Sequence, residues 1–311
     1  MGQKPAARAE ELVYWSAGVA HGFRHISARS TKHRISQCLA LLHAHDCDVR
    51  AVAAQVLGVI AGLQSPVVSA PLARALPKVT HGLTACLHDV NTDVRAYAAR
   101  ALGAVAGSPH SEVGMALAAV LPGAVDGLVA CLYDDNTVVR FLNFRCDAAM
   151  ALSAIACSPH ADVSAAFAGV QSRAVSGLVA CLQDTRTWVI CTATQVLRTI
   201  AGSPHAVVGA AYAATVPVVV AGLTTCLRHE HPDVRAHAAW TLAGIAGSRH
   251  ASVRAALASA VPATRQLHRV QRAEHDPVGL GDLACQGCTD PSILSLTSSR
   301  YSEKSKLGWE P

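Results

Sequence analysis

GLTACLHDVNTDVRAYAARALGAVAGSPH, running from Gly82 to His110, decides the fold because the chain repeats it. GLVACLYDDNTVVR starts at Gly127 and its copy closes on ALSAIACSPH. GLVACLQDTRTWVI starts at Gly177 and closes on VLRTIAGSPH, and GLTTCLRHEHPDVR starts at Gly222 and closes on TLAGIAGSRH. A shortened copy, ALLHAHDCDVRAVAAQVLGVIAG, occupies Ala40–Gly62. Intervals of 45, 50 and 45 residues are those of a stacked-repeat architecture, in which each unit buries its apolar face only against its neighbours. At 311 residues the length alone would suggest two ordinary domains, but a repeat array is one quasi-linear domain.

Within a unit the pattern is helical. Ser108-Pro109 reads as a cap followed by proline at the first helical position, where its missing N–H costs nothing. A short helix to Val120 follows, and Leu121-Pro122 closes it. A second helix, from Pro122 to Tyr133, carries Val125, Leu128, Val129 and Leu132 at three- and four-residue steps. Asp134 to Thr137 form a polar turn, and a third helix runs to the next Ser-Pro. In the preceding unit that third helix has Val94, Ala98, Ala101, Leu102 and Val105 on one face, with Tyr97, Arg100 and Ala104 opposite. The sequence thus predicts three short helices per unit, each too brief to persist alone.

Composition agrees. Hydrophobic residues make up 51% of the chain and aromatics only 4%, so Ala, Val and Leu build a core of closely packed helices. The net charge of +5 is uneven. From Ile35 to Gly247 there are 12 Lys/Arg against 13 Asp/Glu. The excess sits in residues 1–34 (Lys4, Arg8, Arg24, Arg29, Lys32, Arg34) and 248–272 (Arg249, Arg254, Arg265, Arg269, Arg272). Glu10 and Glu11 interrupt the N-terminus, so no signal peptide is read there. The uncharged stretch Thr199–Leu227 contains Pro204, His205 and Pro217 in register with the repeat and is read as a buried helix pair, not a membrane span. These features point to a soluble protein in a reducing compartment, cytoplasmic or nuclear.

The shared phrase LVACL-x-D-x-x-x-(D)VR-x-x-A-A-x-A-L-x-x-I-A resembles the helix-turn-helix core of armadillo and HEAT repeats over about Ile35–Val270. The Asp-Val-Arg element (Asp48/Arg50, Asp93/Arg95, Asp233/Arg235) is HEAT-like, whereas the extra short helix leans towards armadillo. The resemblance implies an all-α, right-handed α-solenoid of about five repeats. It also implies a non-enzymatic scaffold that binds a partner protein or an extended peptide along a concave groove lined by the third helices. Expected domains are a basic segment at 1–34, alternatively a degenerate capping repeat in which ELVYWSAGVAHG echoes ALGAVAGSPH, the repeats at 35–270 and a flexible tail at 271–311. Two copies depart from the pattern. Trp188-Val189-Ile190 replaces Asp-Val-Arg in the fourth. In the third, five extra residues are placed between Arg140 and Leu152, around Phe141-Leu142-Asn143-Phe144-Arg145.

Chemical readings fare poorly. Cys86, Cys131, Cys181 and Cys226 share one repeat position, but the shortened copy has Leu41 there, which marks a small apolar core site. Cys285-Gln286-Gly287-Cys288 lacks a second pair of ligands and makes a poor zinc site. His110, His160, His205 and His250 lie one repeat apart, too far to share an ion, and are read as surface or turn-packing residues. Hydroxylases with HEAT-like folds hold two irons with several His-Glu pairs. This chain has one pair, His229-Glu230, in a turn. Nuclear-import adaptors resemble A-A-W-A-L-x-N-I-A; Trp240 matches in one copy, and the Asn position holds Val59, Ala104, Ala154, Thr199 and Gly244. No cofactor or metal is therefore expected.

The exposed columns of the third helices become the candidate partner site. They are Val52/Gln55, Tyr97/Arg100, Asp147/Met150, Thr192/Gln195 and His237/Trp240. Stacked at roughly 10 Å, the units would offer about 50 Å of groove. Trp240, Tyr97 and Arg100 are residue types that anchor interfaces. The alternative is nucleic-acid binding through the basic ends, against which the near-neutral body argues.

Overall fold

The computed structural model describes residues 5–20, 27–63, 65–110, 112–134 and 144–260, all within one unit, Met1–His275. Among the described residues there are thirteen helices and no strand. In chain order they are α1 (Pro5–Ala20), α2 (Ala28–Leu41), α3 (Cys47–Gly62), α4 (Pro66–Cys86), α5 (Thr92–Ala106), α6 (Glu112–Tyr133) and α7 (Phe144–Ala156). Then come α8 (Ala161–Cys181), α9 (Thr187–Ala201), α10 (Ala206–Ala213), α11 (Val216–Cys226), α12 (Pro232–Ala246) and α13 (Ala251–Ala260). They stack in two layers. One runs α1, α3, α5, α7, α9, α12, and the other α2, α4, α6, α8, α10–α11, α13, each helix against its counterpart in the next unit. This is the all-α solenoid that the repeat implies. The boundary expected at residue 34/35 falls inside α2, and α1 adds Leu12 and Trp15 to the buried core. The expected tail at 271–311 lies outside the described residues.

The three-helix unit is corrected to two helices. The first and second expected helices fuse into α4, α6 and α8, through Pro71 and Pro77 in α4 and Pro122 in α6. An interior proline costs about 3 kcal/mol. Along α6, however, Val113, Leu117, Leu121, Val125, Leu128 and Leu132 form one unbroken buried stripe. At about 1.5–3 kcal/mol for each large side chain buried, keeping that stripe continuous outweighs the proline. Among the described residues the copy at Gly222 separates the two, as α10 and α11, where the Thr215 hydroxyl donates to the Tyr212 carbonyl at 2.8 Å. Segments Glu112–Tyr133 and Ala206–Cys226 are long and apolar enough to cross a bilayer, yet both are stacked between neighbouring repeats.

Polar clasps join the units. The expectation that Ser-Pro opens a helix is also corrected: α8 and α10 start after His160 and His205, which hold the cap positions. The serines reach back instead. Ser158, Ser203 and Ser248 donate to the carbonyls of Ala106, Ala156 and Ala201 at 2.8, 2.8 and 2.7 Å. The following histidines do likewise, with His160, His205 and His250 Nε2 at 2.8, 2.7 and 2.8 Å from the Ser108, Ser158 and Ser203 carbonyls. A carbonyl can only accept, so Nε2 carries the proton in each. The serine bonds satisfy orphan carbonyls at the C-terminal ends of α5, α7 and α9, and the histidine bonds satisfy carbonyls two residues beyond those ends. The thiols of Cys131, Cys181 and Cys226 add weak bonds to the Leu87, Leu132 and Leu182 carbonyls at 3.8, 3.8 and 3.7 Å. Burial raises all three to about 11, which makes them packing thiols.

The Asp-Val-Arg arginines form a second clasp. Arg50 makes a two-pronged pair with Asp89 at 2.7 and 2.8 Å, and its third nitrogen reaches the Ala44 and His45 carbonyls. Arg95 repeats this with Asp134 and the Asp89 and Val90 carbonyls. Next comes Arg145 with Asp184, which relocates the third copy's insert. Phe144-Arg145 takes the place of Val94-Arg95, with both side chains buried. The extra residues therefore precede α7 and are not inserted within it; 135–143, including Arg140, lie outside the described residues. In α9 the buried Ile190 ends the series, and Arg235 keeps only its carbonyl contacts, to His229 and Glu230.

Candidate functional site

Helices α3, α5, α7, α9 and α12 each bury the Val/Ala/Leu face against the other layer and their own neighbours, which leaves the opposite columns facing outward. Met150, Gln195 and Trp240 are exposed, whereas Val52, Gln55, Tyr97, Arg100, Asp147, Thr192 and His237 are half-buried. All ten thus share one layer's accessible face, though not as one continuous cluster.

Two groupings stand out. At α5–α7, Arg100 Nε lies 3.7 Å from Asp147 Oδ1, and its guanidinium sits 5.9 Å from the Tyr97 ring centroid. Burial pushes the Asp147 carboxyl from its ordinary 3.8 to about 6, and the nearby Arg100 offsets this only partly. The sign follows from linkage. A carboxyl whose folded pKa is raised disfavours the folded state progressively between pH 3.8 and about 6, and fully above that. Asp147→Asn is therefore expected to raise stability at pH 7.5 by roughly 1–2 kcal/mol, after allowing for the lost Arg100 attraction. Urea melts should show the gap between variant and wild type closing by pH 4.

At α9–α12 the arrangement is aromatic. The Arg198 guanidinium sits 4.2 Å from the Trp240 ring, and His237 meets the same ring edge-on at 6.5 Å. His237 Nδ1 donates to the Asp233 carbonyl at 2.8 Å, which fixes its ring. Trp240 remains 44% exposed; it neither packs into the core nor stands free. Trp188, at the start of α9, stacks beneath Arg186 at 5.3 Å and is also partly exposed.

Sequence reasoning passed over Arg198, although the signal was present. Its repeat position holds Gly58, Gly103, Ser153 and Ala243 elsewhere, so a long side chain there breaks the column. Gly244 makes room for it: a Cβ on Gly244 would lie 2.6 Å from Arg198 Cγ. The column that carries asparagine in the import adaptors has no amide here, so no side-chain clamp for a peptide backbone exists along it. For chemistry the face offers little. Asp46, Cys47 and Asp48 approach closely enough to share an ion, but Asp46 is occupied in capping α3 at the Asp48 N–H. The clasp histidines His160, His205 and His250 are bound to carbonyls, and His229 Nδ1 accepts from the His231 N–H.

No family model matches the sequence, and no curated protein matches it. Solved structures do. An engineered protein is 22% identical, with 88% of this chain and 99% of that one covered and a TM-score of 0.55. A designed armadillo repeat protein, solved in complex with the peptide (KR)4, is 19% identical, with 85% and 98% covered and a TM-score of 0.55. A computationally designed armadillo repeat protein for modular peptide recognition is 20% identical, with 77% and 97% covered and a TM-score of 0.51. At such identities the likeness is one of fold, and the fold is that of an armadillo-type repeat stack.

Proposed function

We propose that this armadillo-type α-solenoid is a non-enzymatic interaction module, a scaffold or adaptor. It binds a partner protein or an extended peptide along the groove lined by the second helix of each observed repeat. The observation that carries the reading is the accessible face itself, with Tyr97, Arg100, Asp147, Met150, Gln195, His237 and Trp240 on successive helices of one layer. Its chemistry changes from unit to unit, ionic at α5–α7 and aromatic at α9–α12, so it would read one particular sequence. Designed relatives of the same fold that recognise peptides support the reading by analogy of architecture. Among the described residues the cysteines form no disulfide, in keeping with a reducing compartment, cytoplasmic or nuclear.

Affinity purification with quantitative mass spectrometry, using wild type and Arg100→Ala/Trp240→Ala, tests it. Losing an aromatic and an arginine anchor should weaken capture of the enriched partner by about tenfold or more, with helicity by circular dichroism unchanged. Equal capture by both proteins would remove the groove from consideration.

A further inference from the structure

The opposite layer carries a feature that the groove reading does not use. Between α2 and α4 lies a cleft of about 500 Å³ whose walls carry Arg29, Lys32, Arg74 and Lys78 and whose floor includes Leu39 and Pro71. All four cations are exposed. Among the described residues none of them lies within ion-pair distance of a carboxylate, and α2 and α4 contain no Asp or Glu at all. Their neighbour Arg34, by contrast, pairs with Glu11 at 2.6 Å. Arg29 and Arg74 occupy the same repeat position, which becomes Ala119, Gly169 and Ala214 in later units. The cationic cleft is therefore local to the first two units and is not a consequence of the repeat.

We propose that this cleft is a second docking site, for a short extended acidic segment of a partner protein in which carboxylates flank an apolar side chain. Four like charges held around one concavity repel each other and are stabilised by an anion placed among them. The apolar floor selects the class of anion. Single-stranded nucleic acid engages cations together with aromatics that stack on its bases, and among the described residues no aromatic side chain lines this cleft. A membrane surface favours a projecting face, whereas these cations rim a recess. Carboxylates meeting the walls, with an aliphatic group meeting Leu39 and Pro71, satisfy both kinds of surface. The lining runs from Ala28 to Leu39 on α2; at 1.5 Å per residue that is about 16 Å, the reach of about five extended residues. The cleft lies in the layer opposite the proposed groove, so the two sites stand or fall separately.

The test is fluorescence anisotropy on the full chain at low salt. The probes are a labelled synthetic peptide of alternating Glu and Leu, its Lys-Leu counterpart, phosphatidylserine vesicles and single-stranded poly(U). Saturable binding of the Glu-Leu peptide is expected, weakened by added salt and about tenfold or more weaker in Arg74→Glu/Lys78→Glu. Arg100→Ala/Trp240→Ala, which alters only the groove, should bind the peptide as wild type does. If the charge-reversed protein does not fold, Arg29→Gln/Arg74→Gln serves in its place. The proposal is overturned by the absence of saturable binding, by equal binding of the Lys-Leu peptide, or by affinity indifferent to the cleft substitutions. Cleft-dependent capture of vesicles or poly(U) in preference to the peptide would also overturn it.

Discussion

Asp184→Ala is expected to destabilise the protein by about 3–5 kcal/mol, because it removes the carboxylate that balances the buried Arg145 charge. The side chains of Arg145 and Asp184 are 9% and 5% exposed, and the pair ties α7 to the turn before α9. Asp184 also accepts the Arg186 N–H at 2.8 Å and the Arg186 side chain at 3.0 Å, so one carboxylate organises the whole turn. Burial acts to raise its pKa, but the Arg186 side chain and backbone N–H and the Arg145 charge together hold it below the ordinary 3.8. The linkage sign is therefore opposite to that of Asp147. The contribution of Asp184 is fully present above about pH 4 and is lost as pH falls through its folded pKa. Urea melts at pH 7 should show the full loss, shrinking as both proteins are taken towards pH 2. The pair also provides a control: Arg145→Leu/Asp184→Leu should recover much of the loss, since apolar replacement of a buried pair is often neutral. A single Asp184→Ala variant as stable as wild type would mean that α7 is not held to the next unit in this way.

The Arg145–Asp184 contact also shows where the sequence could and could not be read. Matching the copies residue by residue placed the fourth copy's break correctly: Trp188-Val189-Ile190 lacks the arginine, and the clasp ends there. In the third copy, aligning Val138-Val139-Arg140 with Asp93-Val94-Arg95 put the extra residues inside the helix. The competing alignment, Phe144-Arg145 for Val94-Arg95, scores worse by residue type, because phenylalanine replaces valine. It is favoured only by a carboxylate in the next unit, a tertiary fact that no local pattern contains. The fused helices have a similar origin. Pro77 and Pro122 are strong local stop signals, and what overrides them is a buried stripe whose benefit depends on the neighbouring helices. The Ser-Pro-His phrase was legible as punctuation; its reach back to carbonyls of the preceding unit was not. The cysteine column was readable because one copy substitutes leucine. Of the candidate face, the columns were legible as outward-facing positions, while the Arg198–Trp240 stack depended on Gly244 giving way.

Gly58→Leu is expected to cost about 3 kcal/mol or more, and the reason is the closeness of α3 to α5. A Cβ on Gly58 would already stand 3.1 Å from Ala101 Cα and 3.2 Å from its Cβ, and Gly103 meets Ala151 in the same way at 3.3 Å. Small side chains facing small side chains let these helices approach to near backbone contact, and an interior this tight cannot absorb a branched side chain without displacement. Displacement would also stretch the Arg50–Asp89 pair, which spans the same two units at 2.7 Å. Gly58→Ala should be close to neutral. Its methyl needs only a few tenths of an ångström, and alanine's better helix propensity returns about 1 kcal/mol. Gly169→Leu is the control, since that glycine is exposed on α8 with nothing within 4 Å of an added Cβ, and it should be neutral or slightly stabilising. Chemical denaturation of the three variants, with hydrogen exchange along α3 and α5, separates the outcomes. Leucine at 58 tolerated as well as leucine at 169 would mean that the small-residue column does not set the spacing. At the equivalent position Arg198 is accommodated because the next unit faces it with a glycine, Gly244, whereas the residue in that place in the unit after Gly58 is Ala104.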